Sequence, residues 1–155
     1  MCFRTKSGRL KSLIERQDSE LKALYPEYPE YARTIRFNVY DIREILSEKV
    51  RAILTRRGTK ARDFVDVYLI WKGYGIEPKD IETCIAKKIK LALRLYERFN
   101  AQFQEKARLL DSGRIFDWGT ERELLISEID ERDFYSFVTK FEGFLKETVK
   151  AVSSA

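Results

Sequence analysis

Apolar positions recur along this chain with two different periods. In TIRFNVY, residues 34–40, they alternate: Ile35, Phe37 and Val39 stand against Arg36 and Asn38, the repeat of a strand. From residue 41 the spacing changes to three and four. Ile42, Ile45, Leu46, Val50, Ile53 and Leu54 share one face of a helix. DIRE at 41–44 opens it as a capping box, and Gly58 stops it. A second helix is predicted over 60–72, ended by GYG at 73–75. Pro78 suits the first turn of a third. Ile81, Ile85, Ile89, Leu93, Tyr96, Phe103 and Leu110 then continue one long helix, or two nearly continuous ones, from 78 to 111. DSGRIFDWG, 111–119, reads as a loop, and Thr120 caps a short helix, TERELLI. The last helix spans 131–151 with Phe134, Phe137, Val138, Phe141, Leu145 and Val149 on one face.

The first forty residues are less regular. Residues 1–8 read as a frayed start. Residues 9–24 admit two readings: a helical stripe of Leu10, Leu13, Ile14, Leu21 and Leu24, or a short strand in RLKSLIE. YPEYPEY, 25–31, reads as an extended connector whose tyrosines clamp a loop or stack on bases. The expected fold class is α+β and predominantly helical. A short β portion and its connector occupy 1–40, and a helical domain occupies 41–155.

Composition narrows the chemistry. The length of 155 residues fits one domain, and 44% hydrophobic content supports a core. No apolar run approaches the roughly 18 residues of a membrane span. MCFRTKSGRL has no apolar segment of a signal peptide. Two cysteines, Cys2 and Cys84, make no disulfide framework. Together these features predict a cytoplasmic protein with no membrane partner. Histidine is absent, which removes His-based acid–base catalysis, Ser-His-Asp and Cys-His nucleophile systems, and His-containing zinc sites. A net charge of +5 is a mild signal for an anionic partner and fits a solvated charged surface first.

Two charges interrupt this pattern. FVDVYLIW, 64–71, places Asp66 in the most apolar stretch of the chain, and Lys49 falls on the apolar face of the preceding helix. A carboxylate among apolar neighbours is normally paired, protonated or put to work. Asp63 and Asp66 lie three apart, and Arg62 and Asp66 lie four apart, a spacing that pairs along a helix. Lys49 or Arg62 with Asp63 and Asp66 therefore forms either an ion-pair network that fixes helix packing or the lining of a phosphate pocket.

These residues carry a resemblance. DIREILSEKVRAILTRRGTKARDFVDVYLI, 41–70, resembles the signature segment of the AbiEii/AbiGii nucleotidyltransferase toxins. Ser47-Glu48-Lys49 matches the EK element, with Ala52 and Arg56 or Arg57 following, and Arg62-Asp63-Phe64-Val65-Asp66 matches RDxxD. The family is similar to polymerase-β-like enzymes, which begin with a GS motif and a D-x-D pair that holds Mg²⁺. This sequence contains no GS…DxD, and SGRL at 7–10 lacks the acids; Glu15 would take the place of the third carboxylate. The chain is expected to begin after the first part of the catalytic domain. The resemblance implies Asp63 and Asp66 as catalytic-site acids and Lys49, Arg56 and Arg62 as nucleotide-binding cations. It implies transfer of NMP from a nucleoside triphosphate to an acceptor such as tRNA, with Mg²⁺ held by a separate chain or segment, and an antitoxin partner.

A different function class stays open, a non-catalytic helical module that binds RNA or protein. Lys87, Lys90, Arg94 and Arg98 form a basic stripe that would track a nucleic-acid backbone. With Glu97 and Glu105 nearby, it fits a solvated face more simply.

Overall fold

The computed structural model describes residues 2–10, 19–31, 33–125 and 128–154. Strand β1 (Lys6–Leu10) precedes the short helices α1 (Ser19–Leu24) and α2 (Tyr28–Tyr31) and strand β2 (Ile35–Val39). Helices α3 (Ile42–Thr55), α4 (Ala61–Tyr74), α5 (Glu82–Leu95), α6 (Arg98–Asp111) and α7 (Glu131–Ser153) follow. The 3-10 turns Pro78–Ile81 and Gly119–Leu124 lie between them. The chain is α+β and mostly helical.

Two compact units are distinguished, one over Phe3–Asp41 and one over Ile42–Ala155 together with Cys2. In the first, β1 and β2 pair antiparallel with Lys6 opposite Val39 and Leu10 opposite Ile35. The register puts Leu10, Ile35 and Phe37 on one face of the ribbon. All three are exposed, so strand alternation here does not mark a buried face. Asp41 is buried and pairs with Lys6 at 2.7 Å.

The start is not frayed, because residues 6–10 find a strand partner in β2. The connector is not fully extended either. Tyr28–Tyr31 turns into a short helix whose Tyr28 is buried, while Tyr25 and Tyr31 stay exposed. Leu13, Ile14 and Glu15 lie outside the described residues.

The helical unit follows its apolar periodicity closely. On α3, Leu46, Val50, Ile53 and Leu54 are buried; Ile45 is exposed, at the edge of the stripe. On α7, Phe134, Phe137, Val138, Phe141 and Leu145 are buried. Rings knit α4 to α7: Phe64 meets Phe141 edge-on at 5.6 Å, and Tyr68 meets Phe134 at 5.2 Å. Phe116 and Trp118, from the 111–119 loop, close over Phe134.

The long 78–111 pattern divides. Pro78–Ile81 is a 3-10 turn, and the helix breaks at Tyr96, whose φ of −134° and ψ of 100° are extended. Of TERELLI, residues 120–124 belong to a 3-10 turn, Gly119–Leu124, and Ile126 lies outside the described residues. Asp130 does cap α7, accepting from the Asp133 backbone N–H.

The two cysteines, read from the sequence as no disulfide framework, are joined as a Cys2–Cys84 disulfide with their Cα atoms 6.1 Å apart. Spacing of 82 residues gave no hint of this. The Cys2 backbone N–H also donates to Glu44 at 2.9 Å. Among the described residues, no helix is long and apolar enough to cross a membrane.

Closing so long a loop removes unfolded-state freedom. Reduction by a thiol is expected to lower the unfolding free energy by about 2–4 kcal/mol, read as a lower denaturant midpoint. Cys2→Ser should reproduce that shift without reductant; an unchanged midpoint in both would show that the bond contributes nothing.

Candidate functional site

The segment between α3 and α4 brings together most of the charges singled out in the sequence. Lys49, from the third turn of α3, reaches α4 and donates to Asp63 at 3.1 Å. It also pairs with Asp66 at 2.5 Å. Arg56, just past the end of α3, donates through Nη1 to the other Asp63 oxygen at 3.1 Å. Each oxygen of Asp63 thus faces a different cation.

The buried acid is Asp63, not Asp66. The Asp63 side chain is 3% exposed and that of Asp66 is 42% exposed. An eight-residue apolar run wraps more than two turns of helix, so it cannot say which side faces inward. The structure turns Arg62, Asp66 and Leu69 outward and Ala61, Phe64, Val65 and Tyr68 inward. Asp63 lies at the border toward α3, in the first turn of α4, where the helix dipole also favours a negative charge.

Burial by itself would lower the Lys49 pKa. Hydrogen bonds to Asp66 and then Asp63 outweigh it and hold the ammonium above its ordinary value. Arg62 is exposed, and its backbone N–H donates to Glu121 at 3.0 Å. Among the described residues no ion pair joins Arg62 to Asp66; Asp66 pairs with Lys49 instead.

Lys106 was not singled out in the sequence, yet it holds the turn in place. It is fully buried on α6, and its Nζ donates to the Gly58 carbonyl at 2.6 Å and the Thr59 hydroxyl at 2.8 Å. Gly58 takes a φ of +67° there, a left-handed conformation that glycine adopts freely. Burial lowers the Lys106 pKa, with the Glu105 charge opposing. Its signal was present: it stands three after Phe103 and four before Leu110, on the apolar face, as Lys49 does on α3. Glu121, from the Gly119–Leu124 turn, is a second omission, since it caps the first turn of α4.

A second charged cluster joins α3 to α5. Lys88, nearly buried, pairs with Glu44 at 2.6 Å and with Glu48. Burial opposes ionisation of Glu48, but hydrogen bonds from Lys88 and Arg51 outweigh it and hold its carboxyl below the usual value.

The basic stripe is not on one helix face. Lys87, Lys90 and Arg94 are exposed on α5, but Arg98 comes after the break at Tyr96 and packs over Tyr96 and Phe99. Loss of helical phase at the break separates it from the other three.

These residues do not fit a Mg²⁺ ion. Magnesium needs several unengaged oxygen donors, and Asp63 and Asp66 are committed to Lys49 and Arg56. Among the described residues, Cys2, Glu44 and Cys84 are close enough to share an ion. Their sulfurs are bonded to each other, and Glu44 binds Lys88 and the Cys2 backbone.

Lys49, half-buried, and Lys106, buried, predict opposite pH dependences. The raised Lys49 pKa gives stability that is complete below the ordinary lysine value and lost as pH rises through the elevated one. The lowered Lys106 pKa works the other way: stability is gained as pH rises from its depressed value toward the ordinary one. Alkaline denaturation profiles of Lys49→Met and Lys106→Met should therefore depart from the parent in opposite senses; departures of the same sign would refute both assignments. At neutral pH, Lys49→Met is expected to cost about 1.5–3 kcal/mol, the loss of a hydrogen bond to a charged group.

No curated protein and no solved structure matches the chain. The family model described as nucleotidyl transferase AbiEii toxin, Type IV TA system, matches residues 13–153. That match takes in the helical unit almost entire, including the Lys49–Asp63–Asp66 cluster, and the chain belongs to the AbiEii nucleotidyl transferase toxin family.

Proposed function

We propose that this chain supplies the nucleotide-contacting part of a toxin that transfers NMP from a nucleoside triphosphate to an acceptor such as tRNA. The observation that carries the reading is the Lys49–Asp63–Arg56 arrangement. Its cations are anchored by a buried carboxylate yet remain partly open to solvent, with side-chain exposures of 31% for Lys49 and 48% for Arg56.

An ammonium has three donors and a guanidinium five. Lys49 uses two on Asp63 and Asp66, and Arg56 uses one on Asp63. The remaining donors, held beside Asp63, can offer a cationic edge to a phosphate chain. Arg57 and Arg62, in and beyond the same turn, supply charge beyond what Asp63 and Asp66 cancel, while Lys60 pairs with Glu121 at 3.9 Å. In this reading Lys49, Arg56 and Arg62 bind the triphosphate, and Asp63 and Asp66 position those cations. Because the sequence holds no GS…DxD, the acids that hold Mg²⁺ belong to a separate chain or segment, and no step of transfer is assigned to these residues alone. An antitoxin partner and a cytoplasmic location go with the same reading.

Calorimetric titration of the purified chain with each nucleoside triphosphate tests it. Binding is expected for at least one, weakened roughly tenfold or more by Lys49→Met, as for loss of a charge-assisted contact. Labelled triphosphate, Mg²⁺ and tRNA added to the chain reveal whether transfer occurs without another polypeptide. If no triphosphate binds, or if binding is indifferent to Lys49→Met, the reading fails.

A further inference from the structure

The surface formed by α7, the end of α4 and the start of α5 holds two cavities of about 340 and 430 Å³. Both are lined by Phe144 and Glu147, so they are neighbours along α7 and are taken together as one groove. Eight residues of α7, from Phe137 to Ala151, line its wall, a span of about 21 Å at the helical rise of roughly 1.5 Å per residue.

The floor is unusual in the orientation of its rings. Trp71, Phe137, Phe141 and Phe144 follow one another nearly parallel, with interplanar angles of 23°, 17° and 12°. Most other ring pairs in the helical unit are steeply inclined, such as Phe64 with Phe141 at 79° and Tyr68 with Phe134 at 89°. Phe137 and Phe141 are buried within the row, whereas its ends, Trp71 and Phe144, are only partly buried. Gly143 has no side chain to fill the space, and a Cβ placed there would meet nothing within 4 Å.

Four lysines edge this floor: Lys79 and Lys140 at the first cavity, Lys87 and Lys90 at the second. Against them stand Glu77, Glu82 and Glu147. Glu77 is partly engaged, since its side chain caps the Pro78–Ile81 turn. A peptide helix would need only an apolar trough. The partly exposed end rings, Trp71 and Phe144, with lysines beside them match planar bases joined by phosphates.

We propose that this groove binds a short unpaired stretch of RNA, with bases stacked on the exposed ends of the Trp71–Phe144 row and phosphates at the lysines. The proposal deepens the acceptor side of the nucleotidyl-transfer reading and rests on that reading for the acceptor being RNA. It uses none of the Lys49 cluster, so the two fail separately.

Trp71 is its own reporter, because the sequence has only one other tryptophan, Trp118. In a Trp118→Phe background, an eight-residue oligouridylate is expected to quench Trp71 fluorescence saturably. Replacing Lys87 and Lys140 by Gln should weaken binding and reduce the slope of log K against log salt by about 0.7 for each lysine removed. Phe144→Leu should weaken it about tenfold, for loss of one stacked base. Glu147→Gln should tighten it by removing a repulsive charge. Absence of saturable quenching, indifference to the lysine and glutamate substitutions, or equal affinity for a blunt RNA duplex would each overturn the proposal. Circular dichroism melting of every variant confirms that the groove is folded in each comparison.

Discussion

Asp63 has almost no contact with water, and its two oxygens face Lys49 from α3 and Arg56 from the turn that leads out of α3. A carboxylate in that position is tolerated only while both cations remain. The pairing fixes the distance and rotation between α3 and α4, because Lys49 must reach Asp66 from the same amine. It also sets where Arg56 leaves the helix. The geometry of the candidate nucleotide site is therefore a consequence of satisfying one buried charge.

The same device is repeated nearby with different partners. Lys106 supplies a buried ammonium to neutral acceptors, the Gly58 carbonyl and the Thr59 hydroxyl, and so ties α6 to the turn. Lys88 is shared between Glu44 and Glu48 and ties α5 to α3. In each case a long side chain crosses between helices with its methylenes among apolar groups and its charge at a polar cluster. Such ties add little net stability over apolar contacts but specify one arrangement, since breaking either half strands a charge. A rigid turn between α3 and α4 is what a phosphate-contacting segment needs, because donors held in advance lose less freedom on binding.

Two charged surfaces of the helical unit differ in character. The Lys49 cluster is polar and anchored by carboxylates, which suits a compact, highly charged group. The groove beside α7 has an aromatic floor and separated lysines, which suits an extended ligand with flat parts. A transferase needs a donor and an acceptor. In the proposed reading the two surfaces serve those two needs without sharing a residue.

The sequence by itself determined the faces of α3 and α7, because apolar spacing of three and four encodes a buried face regardless of what covers it, but not the 3-10 turns or the break at Tyr96. It also singled out Lys49, Asp63 and Asp66, since a charge out of phase with its surroundings is visible without coordinates. Only the tertiary structure decided which acid is buried. Apart from Asp66, FVDVYLIW is apolar on every side, so its period carries no phase, and packing against α3 and α7 put the neighbouring Asp63 inside. The tertiary structure also joined Cys2 to Cys84, brought Lys106 to the Gly58 turn and split the basic stripe at Tyr96. It set the four rings beside α7 parallel as well. Each of these depends on groups distant in sequence or on local backbone angles, and residue spacing records neither.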